Sequence, residues 1–142
     1  MASWLVRVVV PDVLEPCRRS ELASEIGYKG FDDPLVRPVI EAVQGKFDVT
    51  VGDPSYVRVE DHPAAHDWHV DNGRHMPWCA VSASVLLTAC EGRTDGVFAF
   101  RDGPVAMLPG DLWIWDSIAE NEHRRSAHAG WRRMLLMFLA QA

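Results

Sequence analysis

The sequence predicts a mainly β protein with N-terminal helices: two helices packed against a β-sandwich or barrel built from residues 47–141. Three observations carry this. A chain of 142 residues suits one domain with one core. From Phe47 onward, short apolar or alternating runs follow one another: YVRVE, CAVSASVLLTA, GVFAF, VAML, DLWIW and RRMLLMFLA. The turn-forming stretches GDP, EGRTDG, RDGP and PGD separate them. Regularly spaced short strands with Gly, Pro and Asp between them are what sandwiches and barrels require.

Each element follows in order. WLVRVVV (4–10) is β-branched and reads as a strand. DVLEPCRRSELASEI (12–26) has apolar residues near helical spacing and reads as a helix, with Pro16 near its start. PLVRPVIEAVQ (34–44) reads as a second, shorter helix, and FDVTV (47–51) opens the strand-rich part. No repeat, linker or low-complexity segment divides the chain. A single domain over 1–142 follows, with helical support about 1–46 and a β core about 47–141.

Composition narrows the function classes. Fourteen Lys and Arg against 20 Asp and Glu leave a net charge of −6, which argues against nucleic acid as a main partner. No run of about 18 apolar residues exists, so no membrane span is expected. Arg7 and Pro11 interrupt the N-terminal apolar run, so no signal peptide is expected there. Cys17, Cys79 and Cys90 show no CxxC spacing and read as buried thiols in a reducing compartment, which points to the cytoplasm.

The chemistry concentrates in WHVDNG. His69 and Asp71 flank Val70, and alternate strand residues face one way. One further histidine would complete the two-His-one-carboxylate triad that holds non-haem Fe(II) with coordination positions left open. His123 and His128 are the downstream candidates. His66 makes HxxH with His69, a spacing that suits a helix and not a strand, so His66 reads as a loop residue, as does His62 before Pro63. Trp113 and Trp115 share one strand face and read as packing.

The order of motifs resembles the Fe(II)- and 2-oxoglutarate-dependent oxygenases, in particular their prolyl-hydroxylase-like branch. The matching residues are His69-Val70-Asp71, then Gly110-Asp111-Leu112-Trp113-Ile114-Trp115, then His123, then Gly130-Trp131-Arg132. The resemblance covers about residues 55 to 139. It implies a double-stranded β-helix, a jelly-roll or cupin-like barrel. His69, Asp71 and His123 would bind Fe(II), and His123 has the family-like offset that His128 lacks. Arg132 would pair with the far carboxylate of 2-oxoglutarate, since a guanidinium matches a carboxylate bidentately and stays charged. Arg133 is the rival, because adjacent strand residues face opposite sides; Gly-x-Arg favours Arg132. The implied activity consumes O2, with ascorbate as a supporting reductant, and hydroxylates a C–H bond of a protein side chain or small molecule.

Secondary contacts to 2-oxoglutarate would come from the strands flanking HxD. Where relatives carry an aromatic residue on the strand before HxD, Val59 is near that position and Tyr56 further upstream. Ser82, Ser84 and Thr88 are the polar inward candidates on the next strand. Loops 72–78 and 116–122 would cover the site, with Arg74, His75 and Trp78 as candidate substrate contacts. Two other functions fit the same strand pattern: a cupin-like metal enzyme without 2-oxoglutarate, which would recruit His66 or His128, and a non-catalytic β-sandwich binding module.

Overall fold

Residues 7–73 and 75–142 are described by a computed structural model. The first strand, β1 (Arg7–Val10), is the described part of the predicted run; residues 4–6 lie outside the described residues. Helix α1 spans Pro16–Ala23, shorter than the predicted 12–26. Pro16 occupies the first turn, where its missing N–H costs nothing. It also holds Glu15 extended, at φ −69° and ψ 160°, so no helix can run into it from upstream. Helix α2 spans Arg37–Gln44, not 34–44, again with a proline in its first turn. Val36, Val39, Ile40 and Val43 make its buried stripe at helical spacing.

The strands after α1 are β2 (Gly27–Lys29), β3 (Tyr56–Glu60), β4 (His66–His69), β5 (Cys79–Leu86), β6 (Phe98–Phe100), β7 (Gly103–Pro104), β8 (Leu112–Asp116), β9 (His123–Arg125) and β10 (Met134–Ala140). Edge strand β2 was not expected. FDVTV forms no strand: Val49 makes one isolated bridge to Gln141, while Phe47 and Val49 are simply buried. VAML is irregular backbone after β7, in which Met107 is buried and Leu108 exposed. Apolarity there reflects burial and not strand pairing, a distinction that short runs do not carry.

All strand pairs are antiparallel. One sheet has the order β1-β8-β5-β10-β3-β2 and the other β4-β9-β6-β7. Strands distant in sequence are neighbours, as the double-stranded β-helix requires: β10 lies between β3 and β5, and β9 between β4 and β6. The outer face of the larger sheet buries Val57, Val59, Val85, Leu135 and Met137 in one core with Leu22 of α1 and Val39 of α2. Each such side chain contributes about 1.5–3 kcal/mol by leaving water. The helices therefore brace this sheet, as expected.

The inner face of the same sheet is built in rows. Ser82 opposes Phe138, which opposes Tyr56; Ser84, Leu136 and Arg58 form the next row; Leu86, Met134 and Glu60 the third. Across from them, the smaller sheet aligns His69, His123 and Phe100, then His66, Arg125 and Phe98. A second core of Leu86, Phe98, Phe100, Met107, Trp115 and Met134 fills part of the space between the sheets. The remainder is a cavity.

Candidate metal centre

His69 and His123 are directly opposed on β4 and β9. β4 ends at His69, so Asp71 sits in the turn that follows and not on the strand, where simple alternation had placed it. The Gly73 N–H donates to the Val70 carbonyl (3.2 Å), and the Asn72 N–H donates to Ser117 Oγ (2.8 Å), which fixes this turn. The three side chains still converge. One possible ligand atom from each lies within 4.8 Å of the others. Both imidazole Nε2 atoms face Asp71 Oδ1, at 3.4 Å from His69 and 3.5 Å from His123.

The surroundings orient these groups. His69 Nδ1 lies 2.7 Å from the Asp67 carbonyl, and His123 Nδ1 lies 2.8 Å from the Asn121 carbonyl. A carbonyl only accepts, so each Nδ1 carries a proton and each Nε2 is directed at the centre. Ser82 Oγ donates to Asp71 Oδ2 (2.6 Å), leaving Oδ1 for the shared centre. Phe98 stacks on the His123 ring at 5.1 Å, and Trp115 packs edge-on at 5.4 Å. Burial pushes the Asp71 carboxyl up, but hydrogen bonds from His123, His69 and Ser82 outweigh it and hold the group well below the usual carboxylate range. The hydrogen bond to Asp71 raises the His69 pKa.

Two imidazole nitrogens and one carboxylate oxygen are the donor set of a non-haem Fe(II) site. Ligands about 2.1 Å from a metal and at right angles stand roughly 3 Å apart. The observed 3.4 and 3.5 Å approach that spacing, so the residues fit the ion. His128 is elsewhere: its Nε2 donates to the His62 carbonyl (2.8 Å) and its Nδ1 accepts from the Gly130 N–H (3.0 Å), so both ring nitrogens are engaged. His66 is on strand β4 and not in a loop. It lines the cavity beside Arg125, but its ring is outside the converging group.

The cavity encloses about 100 Å³ and runs from the histidines toward Arg132. Met134, Leu136 and Phe138 line it with Arg132, while Leu135, Met137 and Leu139 pack under the helices. Both arginines precede β10, yet the alternation of the strand extends back through them. Arg132 is 4% exposed; its Nη1 donates to the Gly96 carbonyl (3.0 Å) and its Nη2 lies 3.4 Å from Met107 Sδ. Its Nε has no hydrogen-bond partner among the described residues. Burial and the charge of Arg125 push its pKa down to about 10, so it remains cationic at neutral pH. Gly96 (φ 66°) permits this packing: a Cβ there would lie 3.0 Å from His128 Cβ. Arg133 takes the opposite side and donates to the Ala23 carbonyl of α1.

The Gly110-Asp111 pair serves the scaffold. Gly110 (φ 88°) leaves room for the Leu14 carbonyl, which a Cβ would approach to 2.8 Å, and Asp111 Oδ1 accepts from the Asp12 N–H (3.0 Å).

Other expected contacts are placed differently. Val59 faces the helical core and not the cavity; Arg58 and Glu60 face inward instead, paired at 2.8 Å. Thr88 Oγ1 accepts from the Arg133 N–H (3.1 Å), and Thr88 is absent from the cavity wall. Ser84 does line the cavity, and its Oγ is buried without a hydrogen-bond partner among the described residues. Trp115 lines the cavity as well as packing. Arg74 lies outside the described residues. His75 is exposed on a turn, and Trp78 packs edge-on against Tyr56 at 6.1 Å, one ring removed from the cavity wall at Phe138.

The sequence reading missed Arg58, Glu60 and Arg125 as interior charges. The signal was present: period two in YVRVE puts Tyr56, Arg58 and Glu60 on one face, and period two in HRR puts Arg125 beside His123.

No protein-family model and no curated protein matches the chain by sequence. Solved structures match by shape. A viral collagen prolyl hydroxylase from Paramecium Bursaria Chlorella virus-1, in its 2OG complex, superposes with a TM-score of 0.76 at 10% identity, covering 100% of this chain and 99% of that one. A Pseudomonas putida prolyl-4-hydroxylase gives 0.67 at 16% identity, with 100% of both chains covered. A Trichoplax adhaerens prolyl hydroxylase in complex with a hypoxia inducible factor peptide fragment gives 0.68 at 11% identity, over 96% of this chain and 84% of that one. The chain has the prolyl-hydroxylase-like 2-oxoglutarate oxygenase fold, a mainly β jelly roll with antiparallel sheets.

Proposed function

We propose that the chain is an Fe(II)- and 2-oxoglutarate-dependent oxygenase that hydroxylates a C–H bond in a peptidyl or small-molecule substrate. The observation that carries this reading is the pairing of two features in one cavity. His69, Asp71 and His123 converge at one end, and Arg132, buried without an anionic partner among the described residues, closes the other. A 2-oxo diacid chelated at the first end would present its far carboxylate to the second.

Fe(II) bound at the three residues, with 2-oxoglutarate and O2, supplies oxidative decarboxylation to succinate and carbon dioxide coupled to C–H hydroxylation. The protein's own part is positioning and exclusion. The Asp67 and Asn121 carbonyls fix the tautomers of His69 and His123. Ser82 fixes the Asp71 carboxylate. Phe98 and Trp115 keep water from the His123 side. Arg132 pairs with the far carboxylate and so sets the distance of the cosubstrate from the histidines. Arg132 and the triad together favour this reading over a barrel that ignores 2-oxoglutarate. A peptide substrate draws support from the peptide fragment held by one of the similar structures. The test is succinate release with Fe(II), 2-oxoglutarate and ascorbate across a panel of peptides, amino acids and small metabolites. Substrate-stimulated succinate supports the proposal; no metal-dependent succinate with or without substrate rejects it.

A further inference from the structure

We propose that Arg125 is a second guanidinium anchor for the far carboxylate of 2-oxoglutarate, acting together with Arg132. The inference rests on the oxygenase reading and deepens it. Arg125 lies two residues beyond His123 on β9, so its side chain enters the same cavity one row deeper than the histidine pair. Residues two apart on a strand are separated by about 6.6 Å. A five-carbon diacid chelated at one end reaches that row.

The charge of the cavity points the same way. Arg58 has its counter-charge in Glu60, 2.8 Å away. Among the described residues neither Arg125 nor Arg132 makes an ion pair; Glu60 favours the charge of both from a distance but is committed to Arg58. Both are nine-tenths buried or more, at 7% and 4% exposure, and each keeps an Nε without a hydrogen-bond partner. Two buried like charges in one cavity are costly unless an anion joins them. The charge of Arg125 is close enough to disfavour the charge of Arg132. A carboxylate between them relieves both. Ser84 Oγ, also buried and unpartnered on the facing wall, supplies a further donor.

The competing account is that Arg125 only fastens a loop, since its Nη2 donates to the His62 and Ala64 carbonyls. The experiment separates the two. Full-length protein loaded with Mn(II) in place of Fe(II) is titrated calorimetrically with 2-oxoglutarate and with 2-oxopentanoate, which lacks the far carboxylate. Arg125→Gln should weaken 2-oxoglutarate binding by roughly 10- to 100-fold, the worth of one hydrogen bond to a charged group, and leave 2-oxopentanoate within about twofold. Arg125→Lys keeps the charge but not the fork of donors, so it should lose affinity for 2-oxoglutarate by a smaller factor than Arg125→Gln and again leave 2-oxopentanoate within about twofold; it is the fallback should the glutamine variant fail to fold. Equal loss for both keto acids, or no loss for either, would overturn the proposal and leave Arg125 a loop fastener. A wild-type protein that binds 2-oxoglutarate no better than 2-oxopentanoate would overturn the oxygenase reading itself.

Discussion

Replacing Arg132 by Met tests the orientation of the C-terminal strand and the polarity of the cavity together. The substitution keeps an unbranched side chain of similar length beside Met107 and removes the charge. Arg132 is almost fully buried, and among the described residues its hydrogen bonds reach only the Gly96 carbonyl and the Met107 sulfur. An incoming carboxylate therefore takes an uncommitted cation in a site screened from water. Losing such a buried charged partner costs on the order of 2–5 kcal/mol, which is roughly 30- to several-thousand-fold in binding. Relief of the repulsion from Arg125 in the ligand-free protein offsets part of this, and Arg125 remains as a residual cation, so the lower half of the range is expected. The assay is the apparent KM for 2-oxoglutarate in succinate release, with metal affinity measured separately. KM should rise by that factor while metal binding is retained. Arg133→Met should leave KM unchanged within about twofold, since Arg133 binds the Ala23 carbonyl on the far side of the sheet. A large effect from Arg133 and none from Arg132 would refute the inward assignment of Arg132, Met134, Leu136 and Phe138.

Further outcomes follow from the same geometry. His123→Ala should abolish metal-dependent turnover and His128→Ala should leave it largely intact, because both nitrogens of His128 are occupied by backbone groups; assayed together, the two variants decide which histidine ligates. Ser82→Ala should weaken metal affinity about 10- to 100-fold by freeing Asp71 to rotate, measured by competition with a chelator. Metal affinity should be full at high pH and fall as pH drops, because imidazole must be unprotonated to ligate; with the His69 pKa raised above its ordinary ~6.5, the fall begins above that pH in a pH series of metal titrations. Leu135→Ala should destabilise the fold by about 2–5 kcal/mol in urea denaturation, since Leu135 is fully buried between the larger sheet and the helices.

Legibility in the sequence tracked how local each determinant is. Alternation from Arg132 to Leu139 placed its side chains correctly, because one face lines the cavity and the other meets the helices, and a one-residue slip would exchange every contact. His69 and His123 were legible as a spaced pair, although 54 positions separate them, only through the resemblance of motif order; nothing in the local pattern says that β4 pairs with β9. Asp71 converges by a turn and not by strand periodicity, so its convergence with the histidines was expected on an incomplete argument. Helix starts were expected too early because Pro16 and Pro38 set first turns that apolar spacing ignores. VAML and FDVTV read as strands because burial in a loop and burial in a sheet select the same residues. Arg58, Glu60 and Arg125 were not expected in the interior, since an inward Arg is recognised only when its neighbours across the barrel are known.

In the proposed oxygenase, one metal held by His69, Asp71 and His123 creates the binding site for 2-oxoglutarate. Anaerobic calorimetry of 2-oxoglutarate with and without Fe(II) tests it most directly, because a cosubstrate that chelates the metal must show thermodynamic coupling to it. Clear binding to the Fe(II)-loaded protein, weak binding without metal, and loss of the metal-dependent part in the His123→Ala variant are expected. Equal affinity with and without Fe(II), or metal-dependent binding that survives His123→Ala, would contradict it.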